Sequence, residues 1–368
     1  MTKKLRVAVL FGGKSGEHDV SLSSAASVIQ AMDPEKYDVI PIGISKRGEW
    51  VKGASSIQMI AAHLNTEILE RLQGSLPIAS SEKKEIENGP TFSKEEVDVV
   101  FPVLHGTFGE DGTMQGLLEI ADVPYVGAGV LASAVAMDKV IAKKLFAQTG
   151  IPQGAYMYFL KSEIIKNVEV VYAQIESTIG YPCFIKPANL GSSVGISKAE
   201  NRTELQAALA LAGKYDRKII VEEFIPAREI EVAVLGNDDP KASVVGEIIS
   251  SGDFYDYQAK YVDGESTMQI PADLPSQTQA QIQELAIRAY QALDCSGLSR
   301  VDFFVRKDNG EILINEINTM PGFTPYSMYA HLWAESGLSY KAVIAELIQL
   351  AITRYREKSE LITTLDMN

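Results

Sequence analysis

The chain has 368 residues, 46% apolar and 22% charged, enough for two or three globular domains with sizeable cores. A formal net charge of −14 argues against a nucleic-acid partner, which needs clustered basic surface, but not against small anionic ligands, which respond to the local field alone. Two distant cysteines in no ligand pattern and the lack of any membrane-length apolar run point to a reducing, cytoplasmic setting with no membrane partner.

Residues 7–11 form a continuous apolar run after Lys3, Lys4 and Arg6. The run is too short for a signal peptide and ends in Gly12-Gly13, so it reads as a buried first strand. A loop, GGKSGEHDVS, and a helix over about 21–32 follow, then strands at 37–44 and 97–104. Short apolar strands separated by helices predict a doubly wound parallel α/β sheet over residues 1–126. Residues 65–96 are polar, with Gly74, Pro77, Gly89 and Pro90, and read as a helix and a variable excursion.

Both loops at the carboxyl edge of this sheet carry candidate site residues. In the first, backbone N–H groups at a helix start favour an anion, and Glu17 is placed either to hold an ammonium group or to act as a helix-dipole partner. The dinucleotide fingerprint is absent. In the second, His105 is followed by Gly106, Gly109, Glu110, Asp111 and Gly112. That is the ligand edge of an α/β domain, so His105 is either a structural histidine or part of a substrate site.

The pattern changes near residues 127–129. A helix over 132–148, closed by Gly150 and Pro152, leads into a small α+β lobe ending at 218, with a strand pair around Lys186. Between those strands, Asn189-Leu190-Gly191-Ser192-Ser193-Val194-Gly195 is a small-residue loop that lets backbone approach phosphate oxygens, with Lys186 adding a point charge. Read blandly, the same loop is a flexible hairpin turn. From 219 to 368 a second α+β lobe is expected, its sheet built from 219–223, 229–235, 243–249 and a final hairpin, covered by helices at 276–293 and 340–355. Glu222 and Glu223 end its first strand, with Glu229 and Glu231 beyond; backbone after that strand is placed to hydrogen-bond an adenine edge and a carboxylate to accept ribose hydroxyls, or the acids are simply a solvated strand end. The stretch Phe254-Tyr255-Asp256-Tyr257-Gln258-Ala259-Lys260-Tyr261 fits a lid that excludes water, and equally a loop packed down by its aromatics.

The final hairpin, RVDFFVRKDNGEILINEIN, has Asp308-Asn309-Gly310 as its turn. A three-residue loop pairs residues whose numbers sum to about 618 by the hairpin geometry, so Asp302 faces Glu316, Arg300 faces Asn318, and Phe304 faces Ile314 below them. Two opposed carboxylates repel, and with one amide oxygen they suit a hard divalent cation shared with nucleotide phosphates. A surface hairpin with solvated acids has the same spacing.

Taken together and in order, GGKSGEHDVSLSSA, HGTFGEDGTMQG, AMDK, FIKPANLGSSVG, VEEFIPAREIEVAVLG, YDYQAKY, GLSRVDFFV and INEINTMPGFTPYS resemble the ATP-grasp superfamily and, within it, the D-alanine–D-alanine ligase family. The resemblance implies that Lys139, Lys186, Ser193 and Lys260 serve ATP, that Glu222, Glu223, Phe224 and Ile225 frame adenine, and that Glu229 holds ribose with Phe304 beneath the base. It implies two magnesium ions, or manganese, on Asp302, Glu316 and Asn318. Glu17 would bind the first D-alanine and join Ser192 and Tyr261 in a hydrogen-bonded triad. Arg300 and the N–H of Gly322 would form the oxyanion site, and Ser327 would hold the second substrate. A homodimer is implied by resemblance alone. D-lactate or D-serine as second substrate, and a non-catalytic nucleotide-binding relative, are the alternatives.

Overall fold

The computed structural model describes residues 3–74, 92, 94–249 and 267–362. Strands β1 (Leu5–Gly12), β2 (Tyr37–Ile44), β3 (Trp50–Lys52) and β4 (Val99–Pro102) form a sheet ordered β3-β2-β1-β4. β1 is parallel to both neighbours, and β3 is an antiparallel edge. Alternate β1 side chains enter different cores. Val7, Val9 and Phe11 pack with helices α1 (His18–Ala31), α2 (Ala54–Ile60) and α3 (Thr66–Gly74), while Ala8 and Leu10 meet Met114 and Leu118 of α4 (Thr113–Ile120). Burial on both faces is why β1 reads as an unbroken apolar run. Because the chain leaves β1 for β2 on one side and β4 on the other, a crevice opens at the carboxyl ends of β1 and β4, where Glu17 and His105 lie.

The helix expected over 132–148 is two helices, α5 (Val130–Met137) and α6 (Lys139–Gln148). Asp138 interrupts them in an extended conformation, its Oδ1 accepting the N–H groups of Val140 and Ile141. An aspartate N-cap restarts a helix more favourably than it sits inside one. The break places Lys139 on the first turn of α6, with its N–H donated to the carbonyl of Ala188.

Strands β5 (Tyr156–Leu160), β6 (Cys183–Pro187), β7 (Ser197–Ala199) and β8 (Lys218–Glu223) make an antiparallel sheet ordered β5-β8-β6-β7. After α7 (Lys161–Lys166), helices α8 (Val168–Thr178) and α9 (Arg202–Tyr215) cover it through Val171, Ile175, Leu205 and Leu209. Here the sequence reading needs correction: 219–223, expected in the last sheet, pairs with β5 and β6. An apolar strand carries no mark of which partner it joins, since register is set by contacts remote in sequence.

The last sheet contains β9 (Ala227–Gly236), β10 (Lys241–Ile249), β11 (Thr267–Gln269), β12 (Gly297–Arg306) and β13 (Ile312–Asn318), ordered β11-β10-β9-β12-β13. One face packs on α5, α6 and α10 (Ser276–Ala292). The other shares a continuous core with the parallel sheet, bridged by α11 (Met328–Glu335) and α12 (Tyr340–Ser359), whose Tyr329, Leu332 and Leu347 are completely buried. That shared core fixes the parallel sheet against the site-bearing hairpin. At its edge Gly297 has φ +75°, and a Cβ there would lie 3.2 Å from the backbone of Gly127. Gly297→Ala is expected to destabilise the chain by about 1–3 kcal/mol. Urea unfolding checks this, and an unchanged midpoint contradicts it.

Candidate active site

The hairpin pairs Arg300 with Asn318 and Asp302 with Glu316, as the spacing predicts. It does so by two departures that cancel. The turn closes on Arg306 and Glu311, so the loop holds four residues rather than three. A bulge after Asp302 then leaves Asn315 extra, which restores the register exactly where the acids lie. Below the bulge Phe304 faces Leu313, and Ile314 faces Phe303, correcting the expected Phe304–Ile314 pair. Phe304 and Ile314 nevertheless line the same cavity.

Cationic side chains of the chain partly relieve the acidic pair. Arg300 donates Nε and Nη2 to Asp302 at 2.7 and 2.8 Å, and its Nε is 3.1 Å from Glu231, which pairs with Asp302 on the neighbouring strand. Burial alone would lower the Arg300 pKa, but Asp302 and Glu231 outweigh it and keep the guanidinium charged. Lys139 Nζ is 3.4 Å from Glu316. Asn318 Nδ2 donates to Asp302 at 3.0 Å, so its amide oxygen is turned from that carboxylate. Among the described residues no group of three or more His, Cys, Asp or Glu side chains is arranged to enclose a metal ion. Two carboxylates and an amide oxygen therefore supply only part of a coordination shell. This all-oxygen partial set fits a hard cation that takes its remaining ligands from phosphate and water.

A cavity of about 370 Å³ lies between the two antiparallel sheets. Lys186, Ser193, Glu222, Glu223, Phe224, Ile225, Glu229 and Phe304 all line it, as do Arg300, Asp302 and Glu316. Glu229 is the cross-strand partner of Phe304, which puts a carboxylate beside an aromatic floor. Two of these acids also have partners within the chain. Glu223 accepts from the N–H of Ala155 at 2.8 Å and from Arg306 at 3.2 Å, and Glu222 is held between lysines. In the adjoining loop Ser192 and Ser193 adopt left-handed φ values of 51° and 57°, followed by Gly195 at 74°. Consecutive left-handed serines carry strain, and such backbone is found where N–H groups converge on an anion.

A second cavity, of about 600 Å³, is lined by Glu17, His105, Lys139, Ser192, Asn318, Gly322 and Ser327. Arg300 and Glu316 line both cavities, which meet there. Ser192 donates to the Glu17 carboxylate, two of the three expected triad members. A Cβ on Gly106, whose φ is +72°, would sit 2.4 Å from that carboxylate, so glycine is what lets the two loops approach. Gly322 lies beside Ser327, with 3.3 Å from a Cβ position to the hydroxyl. Tyr261 and Lys260, and with them the expected lid, lie outside the described residues.

The segment Met320–Phe323, which carries Gly322, is clamped from the N-terminal side. His105 Nδ1 donates to the Met320 carbonyl at 3.0 Å, which fixes Nε2 as acceptor for the Ser24 hydroxyl at 3.0 Å. Ser24 Oγ in turn receives the N–H of Phe323 at 3.3 Å. Burial lowers the His105 pKa, although the Glu17 carboxylate opposes it, so the ring is neutral. His105 thus borders the second cavity while both its nitrogens are engaged within the chain. Glu110 completes the clamp, accepting from Met320 N at 3.2 Å and Gly106 N at 2.5 Å. Ser24 and Glu110 carry no sequence signal for this role, because their partner lies some 200 or more positions away.

Burial, reinforced by the Glu17 carboxylate, pushes Glu110 up to about 8, although the two N–H groups pull the other way. An acid whose folded pKa exceeds its ordinary value of 4.5 costs nothing below that value, and stability is lost as pH rises toward 8. Glu110→Gln is expected to flatten the fall in melting temperature between pH 5 and pH 8.5, whatever its constant offset. A variant with the wild-type slope contradicts the assignment.

Two antiparallel sheets gripping a nucleotide-sized cavity, with a carboxylate hairpin at its inner end, define an ATP-grasp protein. Solved structures of the same fold are the D-alanine-D-alanine ligase from Coxiella burnetii (TM-score 0.79, 36% identity, covering 98% of this chain and 97% of that one) and the VanG D-Ala:D-Ser ligase from Enterococcus faecalis (TM-score 0.79, 39% identity, 95% and 100%). The chain belongs to the D-alanine–D-alanine ligase family: the family models for the D-ala D-ala ligase N-terminus and C-terminus match residues 6–128 and 145–349. Among relatives, the D-alanine--D-alanine ligases of Acetivibrio thermocellus and Ruminiclostridium cellulolyticum are each 52% identical. The first alignment covers 97% of this chain and 98% of the relative, the second all of both.

Proposed function

We propose that this chain joins two D-alanine molecules into D-alanyl-D-alanine, driven by cleavage of ATP to ADP and phosphate. The observation that carries the reading is the meeting of the two cavities at Arg300 and Glu316, which gives nucleotide phosphates and a small amino acid a common boundary. Glu17, tied to Ser192, binds the ammonium of the first D-alanine. The carboxylate oxygen of that D-alanine attacks the γ-phosphorus, the bond to the β-phosphate bridging oxygen breaks, and ADP leaves. Lys139 and Lys186 stabilise the charge on the transferring group. The amine of the second D-alanine, held by Ser327, then attacks the acyl carbon. Arg300 and the N–H of Gly322 receive the developing oxyanion, and phosphate departs. Asp302, Glu316 and Asn318 would hold two magnesium ions, with manganese as a substitute, which when bound neutralise phosphate charge.

Because an acyl phosphate hydrolyses, water must be excluded, the task we assign to Lys260, Tyr261 and their loop. The product suits peptidoglycan precursor synthesis in the cytoplasm, and among the described residues no helix is long and apolar enough to cross a membrane. A homodimer belongs to the same proposal and is tested by sedimentation velocity. Mass spectrometry of products from D-alanine mixed with D-lactate or D-serine tests the central reading. Predominant D-alanyl-D-alanine supports it. A predominant ester or D-alanyl-D-serine reassigns the second substrate, and no D-alanine-dependent ADP formation points to a nucleotide-binding relative without catalysis.

A further inference from the structure

Glu222, in the nucleotide cavity, is held on both of its oxygens. Lys143 Nζ lies 2.8 Å from one of its oxygens and Lys186 Nζ 2.7 Å from the other. The Lys143 and Glu222 side chains are 5% and 11% exposed, so solvent screens this pair little. Burial alone would raise the Glu222 pKa, but the two lysines reverse this and keep it far below the ordinary carboxylate range. Glu222 is therefore an anion between two cations.

The consequence lies in the sum of charges. A lysine paired with one carboxylate in a low-dielectric site is a neutral couple, and its field at a third group is that of a dipole. Lys186 paired with Glu222 alone would offer phosphates little net attraction. With Lys143 on the second oxygen, the trio carries one net positive charge on the wall that Lys186 presents to the cavity. Lys143 is well fixed for this. It lies one turn after Lys139 on α6, so the two lysines share a helix face, and its carbonyl accepts Gln153 Nε2 at 2.8 Å. Its Nζ is also 5.5 Å from the ring centre of Tyr156 on β5.

We propose that Lys143 is a positioning residue for nucleotide binding: by taking one oxygen of Glu222, it leaves Lys186 anchored yet with net charge available to the phosphates. The inference rests on the ATP reading given above.

The test is calorimetric titration of the full-length protein with ADP, together with steady-state kinetics. Lys143→Met is expected to weaken ADP binding by about tenfold or more, with KM for ATP rising in step and KM for D-alanine unmoved. Lys143→Arg, which keeps the charge, is expected to bind within about threefold of wild type. A folded Lys143→Met that binds ADP like wild type overturns the proposal, and so does a Lys143→Arg as weak as Lys143→Met, because the loss is then one of packing and not of charge. Where Lys143→Met does not fold, Lys143→Gln takes its place and is judged by the same two comparisons. Wild-type protein that binds no ADP overturns the ATP reading instead.

Discussion

Arg300→Met is expected to lower the rate of dipeptide formation by about a hundredfold or more, equivalent to about 3 kcal/mol of lost oxyanion stabilisation. Three strands fix the position of Arg300. It lies on β12 between β9 and β13, where Glu231 and Asp302 hold its guanidinium, and it borders both cavities. Its charge is secure at any working pH, since the flanking acids more than offset its burial. The loss should fall on the second half-reaction. An acyl phosphate that forms but is not captured hydrolyses, so the ratio of ADP to dipeptide should rise above its coupled value. Parallel assays of ADP and of product mass check this. A variant with wild-type turnover, or one in which ADP and dipeptide fall strictly together, contradicts the assignment of Arg300 to the oxyanion.

Glu316→Gln is expected to preserve the fold and to reduce turnover by about a hundredfold at limiting magnesium, recovering in part as magnesium is raised. The side chain is 27% exposed and sits on the outermost strand, so the core does not depend on it. Its loss halves the charge of the Asp302–Glu316 pair and frees Lys139 from its 3.4 Å contact. Calorimetric titration with magnesium in the presence of ADP separates metal affinity from turnover. Magnesium affinity equal to wild type would remove Glu316 from the proposed metal set.

Much of this site is legible in the sequence because its chemistry is local. Gly and Ser residues after Lys186 mark a loop whose backbone a phosphate could approach, and a carboxylate facing a carboxylate across a hairpin marks an excess of negative charge that cations would relieve. What is not legible depends on remote partners. The spacing of Asp302 and Glu316 gives their true pairing only because a longer turn and a bulge at Asn315 offset each other. Strand 219–223 joins a different sheet from the one expected, and Asp138 splits a helix whose apolar periodicity runs on across it. The clamp of Ser24, His105 and Glu110 on Met320–Phe323 joins residues whose nearness only the shared core creates. Lys143, which holds Glu222 together with Lys186, carries no mark of that contact in the sequence.

The most direct test follows one oxygen atom from amino acid to phosphate. D-alanine labelled with oxygen-18 in both carboxylate positions is turned over with unlabelled ATP and magnesium, and the released phosphate is weighed by mass spectrometry. If the carboxylate attacks phosphorus where the two cavities meet, each dipeptide formed is accompanied by one phosphate carrying a single heavy oxygen. Phosphate released without the label would mean that no bond forms between the amino-acid carboxylate and the nucleotide, contradicting the account at its centre.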